Sequence, residues 1–280
     1  MTVKIVTDSV ADLPSRMVEE LGITVIPLII RFGEEVFHDG IDLTTEQFYD
    51  KLAGSKVFPS TSVPSPATFA QVYDKLAEET DEILAITVSA RLSATHEVAL
   101  QGIGLMKRKC RVEVIDSQWA TMAQGFIVME AAKAAQAGAS LDEVMAVARK
   151  TIPRIDFLAA FDTLEYLRRG GRIGRAQALL GSALKINPII TLKDGLVEPA
   201  GRTRSRPKAL DRLYDFAASY SHIDEMAVED TACPDEAEEL LKRLGAIFPK
   251  ERIYRSKMTP AIGTHTGPGL LLVAVLGDKR

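Results

Sequence analysis

Short runs of β-forming residues alternate with longer helical patterns along the chain, and this alternation limits the fold more than any other feature. The expected strands are residues 3–6, 24–30, 83–88, 112–115, 157–161, 189–192, 226–228 and 271–276. The segments between them have apolar residues at helical spacing and recognisable ends, such as the capping box from Ser140 to Glu143. This order is typical of α/β folds with largely parallel sheets.

The length of the chain favours a division into two domains. Its 280 residues are near the size at which one hydrophobic core usually splits. A helical pattern ends at Pro153, and a new strand is expected from Phe157. We therefore expect one α/β domain over residues 1–155 and a second over residues 156–280.

The apolar runs are too short to span a bilayer. The longest, 23–30 and 270–276, are far below the roughly 18 residues that a membrane-spanning helix requires. The N-terminus also lacks the basic start and long apolar stretch of a signal peptide. We therefore expect a cytoplasmic protein without a transmembrane segment, and a transient contact with a membrane surface stays open. Cys110 and Cys233 lack metal-type spacing, so no metal site or disulfide is expected.

Three hydroxyl-rich segments follow expected strands or precede expected helices, where open α/β sheets bind ligands. They are residues 7–9, 59–66 and 89–95. Such turns can present hydroxyl and backbone N–H donors to a carboxylate or a phosphate. Helix capping alone also explains each segment, because Ser, Thr and Asp favour these positions without any ligand.

A fourth segment, residues 263–269, combines glycine, proline and hydroxyl residues around His265. We expect a turn there, in which the imidazole can contact an anion or take part in proton transfer. The chain has no Walker A sequence, no G-x-G-x-x-G after its first strand, no G-x-S-x-G and no H-E-x-x-H. These absences disfavour self-contained ATP, NAD or zinc-hydrolase chemistry, and no cofactor is expected.

Charge is distributed unevenly along the chain. Residues 168–208 contain ten basic residues against two acidic ones, so this basic window carries +8 and the remainder of the chain −12. Such a window can contact phosphate groups, nucleic acid or an acidic protein surface, or can be a solvated face. It contains no aromatic residue to stack on bases, and the sequence pI is near 5.7, which argues against a dedicated nucleic-acid binder.

Taken together, these motifs resemble those of the DegV family, the bacterial fatty-acid-binding proteins that serve as the lipid-carrying subunit of the fatty acid kinase system. The resemblance covers essentially the whole chain. The residues that carry it are 5–9, 61–66, 92–95, 114–117, 167–173 and 263–269.

The resemblance implies a fold, a ligand and a set of contacts. It implies two α/β domains, with the acyl chain of a fatty acid such as palmitate in the N-terminal domain and its carboxylate near the domain interface. Thr61 and Ser93 match the family positions that hold the carboxylate, and His265 matches the histidine beside it. The family commonly has Gly where this chain has Ala94, which would strain the loop if that position needs a positive φ.

Further head-group or phosphoryl contacts are expected from Arg172, Arg202, Ser62 and Thr264. The resemblance implies that a separate ATP-dependent kinase phosphorylates the bound carboxylate, and that the acyl phosphate passes to an acyltransferase for phospholipid synthesis. The protein itself would then be a lipid-binding subunit and not an enzyme.

Two other functions stay open at this stage. Ser93 could act as the nucleophile of an acyl ester or thioester hydrolase with His265, although no nucleophile elbow supports this interpretation. The basic window 168–208 could alternatively bind nucleic acid in a regulatory protein.

Overall fold

The fold is built from three β-sheets and the helices that pack on and between them, in a computed structural model that describes residues 2–180 and 186–279. The strands are β1 (Lys4–Asp8), β2 (Thr24–Ile26), β3 (Ile29–Phe32), β4 (Glu35–His38), β5 (Ser60–Ser62), β6 (Glu82–Thr87), β7 (Arg111–Asp116), β8 (Ile155–Ala160), β9 (Asn187–Lys193), β10 (Leu196–Thr203), β11 (Tyr220–Asp230), β12 (Ile253–Lys257) and β13 (Leu271–Lys279). The helices are α1 (Ser15–Leu21), α2 (Thr45–Gly54), α3 (Pro66–Leu76), α4 (Thr95–Ile103), α5 (Thr121–Gln136), α6 (Leu141–Thr151), α7 (Glu165–Arg169), α8 (Arg206–Ala218), α9 (Pro234–Leu244) and α10 (Pro260–Thr266). Short 3-10 turns cover 9–11, 152–154, 174–179 and 250–252.

The first sheet has four parallel strands in the order β2-β1-β6-β7. Helices connect its strands, as parallel pairing requires, and β1 and β6 are buried along nearly their whole length. The expected ends of two helices are confirmed: Ser65 caps α3 with Pro66 at its first position, and Ser140 and Glu143 form the capping box of α6. The carboxyl ends of these strands meet at one edge of the sheet. Just beyond β6, Ser89 donates a hydrogen bond to the carbonyl of Gly195, between β9 and β10 of the second sheet.

The second sheet has six strands in the order β10-β9-β8-β13-β11-β12 and is mixed. Only β11 and β12 pair in parallel, and the other four pairs are antiparallel. The α/β class is confirmed, but the expectation of largely parallel sheets holds only for the first sheet. One cause is the tight turn at Asp194 and Gly195, where both residues have positive φ and reverse the chain directly from β9 into β10.

A small antiparallel sheet, β4-β3-β5, was not expected. The single strand predicted over residues 24–30 is wrong, because β2 ends at Ile26 and β3 begins at Ile29 in a different sheet. Pro27 lies at the break and cannot donate a ladder hydrogen bond. Residues 60–62, expected in a turn, form the edge strand β5 of this sheet.

Helix α5 is packed between the two large sheets. Twelve of its 16 residues are buried, and it contacts β1 and β6 on one side and β8, β11 and β13 on the other. A helix that is apolar on all sides requires such a position, because every face must be removed from water. In the described part of the chain, no helix combines the length and the apolar character needed to cross a membrane.

The predicted domain boundary falls next to the first strand of the mixed sheet, since β8 begins at Ile155. Helix α10 belongs to the second half of the chain but packs on α2, β3 and β5 of the first half. The contacts of α10 therefore join the two halves of the chain. The division at residue 155 stays a prediction.

Two buried carboxyl groups lie where the halves meet. Asp12 accepts a hydrogen bond from the backbone N–H of Thr259, and Glu229 accepts one from the N–H of Met122 at the start of α5. Burial raises the pKa of both groups, and the charge of Glu229 raises the pKa of Asp12 further. Two adjacent charges without solvent are unfavourable, so we expect this pair to retain a proton at neutral pH.

Raising the pH should therefore destabilise the protein through Glu229. A carboxyl whose folded-state pKa lies above its unfolded value stabilises the fold at low pH, and this stabilisation is lost as the pH rises through the folded pKa. Burial raises the folded-state pKa of Glu229 to about 8, so we expect the free energy of unfolding to fall between about pH 4.5 and about pH 8, by at most about 1.4 kcal/mol per pH unit for this group. Urea unfolding across this range measures it.

The Glu229→Gln variant should show a flatter profile, since the amide stays neutral. Glu239→Gln on the exposed face of α9 is the matched control and should follow the native profile. Equal slopes for all three proteins would contradict this account of the pair.

Candidate functional site

An apolar cavity of about 100 Å³ lies between the parallel sheet and the mixed sheet. Phe157, Ala159 and Phe161 alternate along and just beyond β8, so their side chains share the face that lines it. Further apolar lining comes from both halves of the chain: Val10, Leu28, Val88, Leu92, Ala120, Leu167, Ile190, Leu192, Val197, Met258, Ala261, Ile262, Leu270 and Leu272. The cavity is thus lined from both sides of the predicted boundary at residue 155, whereas the sequence-based expectation assigned the acyl chain to the N-terminal domain.

Four of the polar residues singled out in the sequence line this same cavity: Thr61, Ser93, Arg172 and His265. They come from β5, the loop after β6, the turn after α7, and α10. All four are partly exposed, so they are accessible from solvent as well as from the cavity. We call these four residues the polar corner.

His265 and Thr61 are in direct contact across 204 positions of the sequence, with 2.8 Å between His265 Nε2 and Thr61 Oγ1. The expectation that His265 lies in a turn is wrong, because it occupies the last turn of α10, and the turn begins only at Gly267. Gly267 has a φ of 68°, and a side chain there would clash with the ring of Tyr166 on α7. The glycine lets α7 pack closely against the end of α10.

The imidazole of His265 is held in a neutral form. Burial lowers its pKa to about 4, and the nearby positive charge of Arg172 acts in the same direction. Its Nδ1 is buried without a hydrogen-bond partner and lies against Gly170, where a Cβ would collide with it. We assign the proton to Nε2, because a buried unpaired N–H is less tolerable than a buried lone pair. Nε2 then donates to Thr61, whose own hydroxyl proton stays free for a ligand.

Ser93 lies in the loop between β6 and α4. Its hydroxyl is 2.8 Å from the hydroxyl of Thr95 and accepts the backbone N–H of that residue at 3.3 Å. Ala94 has a φ of −73°, so the alanine causes no backbone strain at this position. The loop that presents Ser93 is therefore compatible with this sequence.

Arg172 binds two backbone segments beside the polar corner, the loop that carries Ser93 and the turn that packs against His265. Its Nε donates to the carbonyl oxygen of Leu92 at 3.1 Å, and its Nη1 donates to that of Gly170 at 2.6 Å. The first bond positions the loop that carries Ser93, and the second closes the turn that packs against His265. The guanidinium also brings a positive charge to the wall of the cavity.

Three other candidate contacts are not among the cavity-lining residues. Ser62 follows Thr61 on β5 and, by strand alternation, points to the opposite face, where its hydroxyl accepts from Arg31. Thr264 donates to the carbonyl of Pro260 within α10. Arg202 is exposed on β10.

The hydroxyl-rich segment 7–9 uses its polar groups internally. Asp8 accepts the backbone N–H groups of Val10 and Val88, and Ser9 donates to Asp39. Capping explains this segment, in contrast to the segments that carry Thr61 and Ser93.

The geometry does not favour Ser93 as a hydrolytic nucleophile. A serine nucleophile needs a base within hydrogen-bond reach, and that base needs an orienting group. His265 Nε2 contacts Thr61 instead of Ser93, and its Nδ1 has no carboxylate partner among the described residues.

The basic window is partly neutralised by acidic neighbours. Arg168 and Arg169 both pair with Glu165, and Arg175 pairs with Glu198. Lys185 lies outside the described residues. These exposed pairs agree with a solvated face better than with a continuous nucleic-acid surface.

Sequence reasoning missed Thr121, a cavity-lining residue at the start of α5. It also missed the apolar face of the mixed sheet. The alternation of Phe157, Ala159 and Phe161 was visible as a strand signal, but nothing in it shows that this face borders a cavity.

Comparisons with known proteins agree with this architecture. A family model described as an uncharacterised protein of the DegV family matches residues 2–278. A DegV domain-containing protein of Streptomyces coelicolor is 39% identical over 278 residues, with 98% of each chain covered. Among solved structures, a DegV family protein from Thermus thermophilus described for its fatty acid binding is 32% identical, with a TM-score of 0.91 over 99% of this chain and 100% of that one. DegV from Bacillus subtilis, described as a fatty acid binding protein, is 29% identical, with a TM-score of 0.90 over 99% of both chains.

Proposed function

Because this chain belongs to the DegV family, we propose that it binds a long-chain fatty acid, with the acyl chain in the cavity between the sheets and the carboxylate at the polar corner. The observation that carries the proposal is the joining of one apolar cavity to four partly exposed polar side chains. The solved relatives from Thermus thermophilus and Bacillus subtilis, each described as binding fatty acids, support it.

The acyl chain would supply most of the affinity. Burying one methylene group contributes about 0.8 kcal/mol, so a chain of roughly fifteen carbons offers about 12 kcal/mol before the costs of association. Phe157, Phe161 and Leu192 are examples of the lining that would replace water around it. Burial of methylene groups does not determine which end of the fatty acid lies where in the cavity. The contacts to the carboxylate must therefore fix the orientation of the ligand.

The carboxylate would be oriented by hydroxyl donors. With the Nε2 proton of His265 donated to Thr61, the Thr61 hydroxyl is free to donate to a carboxylate oxygen, and Ser93 supplies a second hydroxyl. Bonds from hydroxyl groups to a charged acceptor are stronger than neutral ones. Arg172 adds a compensating positive charge, which an anion removed from water requires.

A long acyl chain would enlarge the cavity on binding. A cavity of about 150 Å³ accommodates benzene, and the volume here is about 100 Å³. The chain would therefore separate the lining side chains of the two halves. We expect ligand binding to alter the packing between β8 and the edge of the parallel sheet.

The finer proposal concerns what happens to the bound ligand. A separate ATP-dependent kinase would transfer a phosphoryl group to the exposed carboxylate, and the acyl phosphate would be passed to an acyltransferase for phospholipid synthesis. The partial exposure of Thr61 and Ser93 supports this, because a kinase must reach the carboxylate. Arg172, which lines the cavity, would neutralise the added phosphoryl charge, as arginines do in phosphoryl transfer.

Removing the hydroxyl donors should weaken fatty-acid binding. We expect Thr61→Val and Ser93→Ala each to raise the dissociation constant for palmitate by about ten- to a hundredfold, the range for a hydrogen bond to a charged group. Titration calorimetry measures the effect. Ser62→Ala is the matched control, since this neighbouring hydroxyl bonds to Arg31, and it should bind as the native protein does. Native affinity in both Thr61→Val and Ser93→Ala would exclude the polar corner as the carboxylate site.

Replacing Arg172 should affect phosphorylation more than binding. In Arg172→Ala, we expect acyl phosphate formation with the kinase to fall further than palmitate affinity, because the phosphoryl group adds charge that the fatty acid lacks. Acyl phosphate can be trapped with hydroxylamine, and palmitate affinity measured in parallel. Arg149→Ala, on the exposed face of α6 and outside the basic window, is the control. Equal losses of acyl phosphate formation and palmitate affinity would contradict the phosphoryl role. Arg172 would then act only by positioning the Ser93 loop through the carbonyl of Leu92.

A further inference from the structure

The cavity contains a polar group that a plain fatty acid would leave unsatisfied. Thr121 lines the cavity and is only 5% exposed, yet its hydroxyl has no hydrogen-bond partner among the described residues. A buried hydroxyl without a partner is unfavourable, and methylene groups packed against it would not remedy this. A ligand atom that can accept or donate a hydrogen bond would satisfy the Thr121 hydroxyl.

The backbone at Thr121 is also strained. Its φ is 61°, which is a genuine outlier for a β-branched residue. Such strain persists only where the surroundings impose it, and it is concentrated at ligand sites. Here the backbone N–H of the next residue, Met122, is held by the Glu229 carboxylate oxygen Oε2 at 3.1 Å.

Glu229 is a second unsatisfied group behind Thr121. It is fully buried, and its Oε1 has no partner among the described residues. Burial raises its pKa. The hydrogen bond from Met122, the residue after Thr121, brings the Glu229 carboxyl to the start of α5. No hydrogen bond joins Thr121 Oγ1 to Glu229 Oε1 among the described residues, so neither group satisfies the other.

Thr121 belongs to a different element from the four residues of the polar corner. It has no hydrogen bond to Thr61, Ser93, Arg172 or His265, and it begins α5, whereas they lie on other elements. Its sequence neighbour Ala120 lines the cavity with an apolar side chain. A carboxylate held at the polar corner would leave this second position for a later part of the acyl chain.

We propose that Thr121 is a second polar subsite of the cavity, and that the preferred ligand is a fatty acid with a hydroxyl or keto oxygen part-way along its acyl chain. This rests on the proposed function and deepens it by naming the class of fatty acid. Thr121 is the specificity-determining residue, since its hydroxyl discriminates an oxygenated chain from a plain one. A site whose buried polar group pairs with a ligand oxygen binds an analogue without that oxygen more weakly, because the polar group is then left unpaired.

The test compares stearate with positional isomers of hydroxystearate. We expect at least one isomer to bind the native protein as tightly as stearate or more tightly. In Thr121→Val, which keeps the side-chain shape, the affinity for that isomer should fall about tenfold, whereas stearate should bind equally well or better. Thr121→Ser keeps the hydroxyl and should retain the native preference, which guards against a loss due to misfolding.

Thr266→Val is the matched control inside the same cavity, because the Thr266 hydroxyl is already satisfied by the carbonyl of Ile262. It should leave the ratio of hydroxystearate to stearate affinity unchanged. Weaker binding of every isomer than of stearate by the native protein, or an equal loss for all ligands in Thr121→Val, would overturn the inference. Failure of the native protein to bind any of these fatty acids would instead overturn the proposed function.

Discussion

The structure depends on the burial of one helix, α5, between two sheets. A helix with its side chains is about 10 Å wide, so α5 sets the distance between the parallel sheet and the inner face of the mixed sheet. The helix begins at Thr121, and the cavity lies beside that first turn, with Ala120 and Thr121 in its lining. The cavity is thus the space that the two sheets leave where the helix no longer fills it.

The polar corner depends in turn on contacts that cross between the halves of the chain. Helix α10 leaves the mixed sheet and packs on β3 and β5, which brings His265 to Thr61. Arg172 holds the Ser93 loop from the opposite side. The polar corner is thus held together by contacts between different elements: α10 contacts β5, and the turn after α7 contacts the loop after β6. Neutral His265 completes the group, since it orients the Thr61 hydroxyl without adding a charge.

Local sequence signals predicted much of the fold. The caps of α3 and α6, most strands and the α/β class follow from residue spacing, because they depend on neighbours in the chain. The split at Pro27 and the antiparallel turn at Asp194 and Gly195 also have local signals, a proline and an Asp-Gly pair, but the α/β alternation alone predicts neither of them. The small sheet could not be predicted, since β5 pairs with a strand about 30 residues earlier.

The sequence motifs predicted four of the residues that line the cavity. Thr61, Ser93, Arg172 and His265 do line one cavity, whereas Ser62 and Thr264 turn to other partners. Hydroxyl residues look alike in a sequence, and only the direction of each side chain separates a cavity residue from a cap. Thr121 was missed for the same reason, because its left-handed backbone and unpaired hydroxyl are visible only in three dimensions.

The central claim is that the cavity between the sheets holds a fatty acid. Organic extraction of the purified protein, followed by mass spectrometry, tests it most directly. We expect about one fatty acid per protein chain, or uptake to that ratio when fatty acids are added to the empty protein. A protein that is purified without lipid and also takes up no added fatty acid would contradict the account.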